Sequence, residues 1–117
     1  MADRAYARMM DIIEAIDNVE RMLEGVDLES LRSDRVRRMA YERFLEIISE
    51  ASRHVPDHVK SSAPGIPWRR VADIGNHLRH GYNRIDLVTI WSIHDDGLLR
   101  QLRETIAEAA ERLPKTP

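Results

Sequence analysis

The placement of proline constrains this chain more than any other feature of its sequence. Three of the five prolines, Pro56, Pro64 and Pro67, sit in one connector, and the other two are Pro114 and Pro117. Residues 1–55 and 68–113 contain none. Proline removes a backbone donor and clashes with the preceding helical turn, so these two proline-free stretches are open to long helices. Their apolar spacing supports that reading. Met9, Ile12, Ile13, Ile16, Val19 and Leu23 follow the i, i+3, i+4, i+7 rhythm of a one-faced helix. This predicts a first helix from about Ala2 to Glu24, stopped by Gly25. Asp27 is placed to cap a short turn with Ser30.

A second helix is expected from about Asp34 to His54, with Val36, Ala40, Phe44, Ile47, Ile48, Ala51 and Val55 on its apolar face. PDHVKSSAPGIP, from Pro56 to Pro67, predicts a short turn and a connector. Pro67 suits a first helical position, where a missing N–H costs nothing. A third helix runs from there to Tyr82 or slightly beyond. A last helical region covers Asp86 to about Leu113, broken near His94–Gly97, with Trp91, Leu98, Leu99, Leu102, Ile106 and Leu113 as its apolar positions. The expected fold is a single all-α domain over residues 1–117, an antiparallel four-helix bundle with a short extra helix or turn.

Composition removes several function classes. Without cysteine the chain can form neither disulfides nor thiolate metal sites. A net charge of −2 gives no global field for nucleic acid, so an RNA site must be a local patch. MADRAYARMM has no apolar run of signal-peptide length, and no segment reaches the ~20 apolar residues that cross a bilayer. The expected location is cytoplasmic, with no membrane contact.

The third helix carries the chemistry. At about 100° per residue, Val71, Ile74, Leu78, Tyr82 and Ile85 share a core face, with Gly75 and Trp68 at its margin. Asp73, His77, His80 and Arg84 fall opposite, within a wedge of roughly 60°. Asn76 and Asn83 flank the wedge, and Arg79 sits between the two faces. Histidine titrates near neutrality and can act as base and then acid in one cycle. Arginine offers phosphate a fixed fork of donors. Cleavage of an RNA phosphodiester needs such a set: one group takes the 2′-hydroxyl proton and another stabilises charge on the phosphorus oxygens. The same residues also fit an ordinary solvated helix face. Asp73, His77 and His80 have the spacing of a metal site as well, with Glu50, His54 or His58 as further donors if the fold brings them close.

Several pieces of the sequence, taken in order, resemble the HepT-like family within the wider HEPN group of helical ribonucleases. They are DIIEAIDNVERMLEG, RMAYERFLEIISEAS, PGIPW (Pro64 to Trp68), NHLRHGYNRID (Asn76 to Asp86) and the Ile90–Trp91 pair. In the second piece Ser49 stands where the family has glycine. The resemblance implies a homodimeric four-helix bundle with the two active-site helices facing each other. It also implies metal-independent RNA cleavage by an arginine and a histidine, and a minimal nucleotidyltransferase antitoxin encoded beside the toxin. In studied pairs that partner transfers AMP to the tyrosine of a histidine–any–tyrosine motif, which here is His80–Gly81–Tyr82.

One departure matters. The family places its arginine about five residues before the histidine, and that position here is Gly75. Arg79 precedes His80 directly, a turn away from residue 75 and about 40° round the helix. The expected function is a toxin endoribonuclease with His80 as base or acid and Arg79 as the first candidate on the phosphate, Arg84 or His77 being the others. Asp73, Asn76 and His77 line the cleft, Tyr82 accepts AMP, and no cofactor or metal is involved. The alternative is a binding module that keeps the partner interface and has lost RNase activity. Trp68 and Trp91 read as packing residues, and His54, His58 and His94 as solvent-side residues at helix ends. The run of Arg32, Arg35, Arg37 and Arg38 reads as a solvated face. Glu50 fits either a surface role or the orientation of a cleft histidine or arginine.

Overall fold

The structure, a computed structural model, describes residues 2–80 and 86–113. Tyr82 and Arg84 lie outside the described residues, as does the side chain of His80. Seven helices are described: α1 (Ala2–Leu23), α2 (Leu28–Ser33), α3 (Arg35–Ser52), α4 (Asp57–Ser62), α5 (Trp68–His80), α6 (Leu87–Asp95) and α7 (Leu98–Ala110). The four helical regions expected from sequence are α1, α3, α5 and the α6–α7 pair, and they make an all-α bundle. α1 packs on α3 and α7, and α3 carries α5 along its other side. No described helix is long and apolar enough to cross a membrane.

The core lies where three helices meet. Met9, Ile12, Ile16 and Val19 of α1 are fully buried against Tyr41, Leu45 and Ile48 of α3 and Leu102 and Ile106 of α7. Each such aliphatic side chain contributes about 1.5–3 kcal/mol on burial. Polar ties then fix the helices relative to each other. Arg103 of α7 grips Asp17 of α1 with two hydrogen bonds, at 2.5 and 3.1 Å. The buried Tyr41 hydroxyl donates to the Ile90 carbonyl and so ties α6 to α3. Side-chain caps set the helix starts: Asp27 accepts from the Ser30 N–H at 2.8 Å, and Asp34 accepts from that of Arg37 at 3.0 Å. Gly25 and Gly97 take positive φ, 73° and 85°, where α1 stops and where α6 turns into α7.

Three local expectations need correction. Residues 57–62 form a short helix rather than a turn, with Pro56 at its N-cap and Val59 tucked into the core. Pro67 stands one residue earlier than expected: its carbonyl accepts from the Val71 N–H at 3.0 Å, and the helix proper begins at Trp68. The buried face of α3 is also wider than the stripe read in the sequence. Ile48, Ala51 and Val55 of that stripe are buried, but Val36 is 80% exposed, and Tyr41, Leu45, Ser49 and Ser52 outside it are buried too. α3 packs on α1 and α5 together, so it buries a wider face than one apolar stripe supplies, and two serines complete it.

Candidate active site on the fifth helix

α5 is held to the bundle by Val71, Ile74 and Leu78, all buried, as its wheel predicts. Asn76, His77 and Arg79 are exposed and Asp73 is half-buried. His80 is the last residue of the helix.

On the α3 side the two helices meet closely at Ser49 and Gly75. The Ser49 hydroxyl donates to the Ala72 carbonyl at 2.8 Å and accepts from the Gly75 N–H at 2.9 Å. The Arg53 guanidinium donates to the same carbonyl, Nη2 to oxygen 2.9 Å. A Cβ placed on Gly75 would lie 3.1 Å from Ser49 Oγ and 3.1 Å from Arg79 Nη1. The Arg79 side chain therefore runs back one turn along α5, as long helical side chains do, and lays its guanidinium against the bare backbone of residue 75. Its Nη2 also reaches Asn76 Oδ1 at 3.4 Å. An arginine rooted at residue 79 thus delivers its charge to the helix surface at residue 75.

The opposite side of α5 faces α6 across an open groove of about 970 Å³. Ile74, Leu78, Ile90 and Ile93 contribute its apolar lining, and Arg69, Arg70, Asp73, His77 and Asp86 contribute polar groups. The structure thus divides the residues singled out by sequence. Asp73 and His77 line the groove, while Asn76 and Arg79 pair on the α3 side. Tyr82 lies outside the described residues.

Glu50 sits with its carboxylate 3.5 Å from His54 Nε2 and 4.0 Å from Arg53 Nε. All three are exposed, and such pairs contribute little. Among the described residues no three His, Asp or Glu side chains are grouped to hold a metal ion. Within the basic run, Arg32 pairs with Glu29, Arg37 with Asp34 and Arg38 with Glu42, which suits a solvated face. Trp68 and Trp91 pack half-buried against the core. His54 and His58 are exposed, whereas His94 is half-buried with its ring edge-on to Trp91 at 5.4 Å. Two residues gained no role from sequence, Ser49 and Arg53. Their i, i+4 spacing puts them on one side of α3; Ser49 stands out in the sequence only as a replacement for the family's glycine, and Arg53 carries no apolar or motif signal.

Comparison with known proteins places this geometry in context. The family model described as "Ribonuclease HepT-like" matches residues 12–113. The chain is 37% identical over 81 residues to a protein named "Probable ribonuclease HepT" from Thermococcus cleftensis, covering 69% of this chain and 74% of that one. It is 32% identical over 87 residues to "Putative RNase MJ1380" of Methanocaldococcus jannaschii, covering 74% and 80%. Over 104 residues it is 26% identical to "Putative RNase TTE0752" of Caldanaerobacter subterraneus subsp. tengcongensis, covering 89% of each. No solved structure matches the chain.

Proposed function

This chain belongs to the HepT-like ribonuclease family, and on that premise we propose that it is a metal-independent endoribonuclease acting through α5. The observation that carries the proposal is the placement of Arg79. Its guanidinium lies on an exposed helix surface beside Asn76, and its root directly precedes His80. His80 takes the proton from a ribose 2′-hydroxyl, the freed oxygen attacks the adjacent phosphorus, and the 5′-oxygen leaves with a proton returned by an imidazolium. Arg79 holds the phosphate and offsets the negative charge that builds on its non-bridging oxygens. His77 and Asp73 line the adjoining groove, where they face the neighbouring nucleotide. Arg53, Arg69 and Arg70 give α5 and its surroundings a local cationic character that the net charge of −2 conceals.

In this reading the protein is the toxin of a pair whose antitoxin is a minimal nucleotidyltransferase. AMP added to Tyr82 places a phosphodiester charge three residues from Arg79 and blocks the approach of RNA. The protein works as a homodimer. The apolar lining of the groove supports this, because Ile74, Leu78, Ile90 and Ile93 offer a second copy an uncovered apolar surface away from Asp73 and His77. Expression without the partner should arrest growth, and co-expression should relieve the arrest while adding the mass of AMP to the tryptic peptide containing Tyr82. Normal growth from an unmodified, folded protein would move the assignment to a binding module without RNase activity.

A further inference from the structure

Nothing in the backbone requires glycine at residue 75. Among the described residues only Gly25 and Gly97 take positive φ, and glycine is a poor residue for a helix interior. What residue 75 lacks is a side chain, and two neighbours occupy that space: Ser49 Oγ and Arg79 Nη1, each 3.1 Å from where the Cβ would stand. Ser49 has no freedom to withdraw. It is buried between α3 and α5, with its hydroxyl bonded to both Ala72 and Gly75. Arg79 is exposed and, among the described residues, hydrogen-bonded through a 3.4 Å contact with Asn76, so a methyl group at residue 75 would displace the guanidinium first.

We infer that Gly75 is a positioning residue for Arg79: its missing side chain is the seat on which the guanidinium rests, presented to an RNA backbone phosphate. The inference depends on the assignment of Arg79 to the phosphate. A Cβ at that distance moves its neighbour by a few tenths of an ångström, and misplacing a group that holds the reacting phosphate is read out in rate, so Gly75→Ala should act on turnover.

The test is a double-mutant cycle on RNA cleavage with Gly75→Ala, Arg79→Ala and the pair, joined by the crystal structure of Gly75→Ala. Gly75→Ala is expected to lower kcat about three- to tenfold, more than any melting shift from the Ser49 contact explains, and its crystal structure should show the guanidinium moved off residue 75. In the Arg79→Ala background the same change should cost only what its contact with Ser49 costs, because no guanidinium is left to displace. An equal loss in both backgrounds would assign the effect to the α3–α5 seam and overturn the inference. So would recovery of activity in Gly75→Ala/Ser49→Ala, which relieves the seam alone. If Arg79→Ala cleaves normally, the phosphate assignment fails by itself. The crystal structure then still decides whether residue 75 seats the guanidinium, and an unmoved Arg79 overturns that too.

Discussion

At Gly75 and Ser49 two residues without apolar bulk do the work of a helix crossing. The Ser49 hydroxyl is buried and makes two bonds to the backbone of α5, each to a group already within the helical ladder. Ser49→Ala should therefore destabilise the fold by only about 1 kcal/mol in urea denaturation, the net value of a typical hydrogen bond. Arg79→Lys is a stricter test of the chemistry. An ammonium keeps the charge but loses the planar fork, so cleavage should fall well below wild type while melting is unchanged. The sequence showed that residue 75 lacks the expected arginine and that Arg79 stands nearby. It did not show that the two meet, because this depends on how far a flexible side chain folds back over a neighbour with no Cβ.

At the scale of elements, proline placement and apolar spacing made the four main helices legible, since both act through local backbone physics. The six-residue α4 was not legible, because a helix of that length holds only through tertiary burial such as that of Val59. The face of α3 was read too narrowly for a related reason: a helix packed on two neighbours buries positions that no single stripe reveals. Caps are legible and carry testable weight. Asp34 caps α3 through the Arg37 N–H and also pairs with the Arg37 guanidinium. Asp34→Ala should cost about 1 kcal/mol of stability, read as a lower urea midpoint with unchanged slope.

For the whole molecule, shifted titrating groups tie stability to pH, His94 and Asp17 among them. Burial holds the His94 imidazole below its ordinary pKa of 6.5, opposed by Glu20 and Asp95 and aided by Arg100. The folded state thus prefers neutral His94, and its contribution is present above pH 6.5 and lost as pH falls through the lowered folded value. The hydrogen bonds from Arg103 hold the Asp17 carboxyl below its usual 3.8, so that contribution persists to lower pH and fades beneath 3.8. Melting temperature should fall first below about pH 6.5 and again below about pH 4, and His94→Gln should flatten the first step alone. The matched family accounts for the bundle, while the proposed cleavage chemistry rests on side chains carried by α5.

The most direct test of that chemistry is cleavage of RNA by the purified protein in excess chelator, beside His80→Ala and Arg79→Ala. The account predicts cutting that persists without metal and falls about a hundredfold or more in each variant. Cleavage that stops with the chelator, or that survives Arg79→Ala at the wild-type rate, would contradict it.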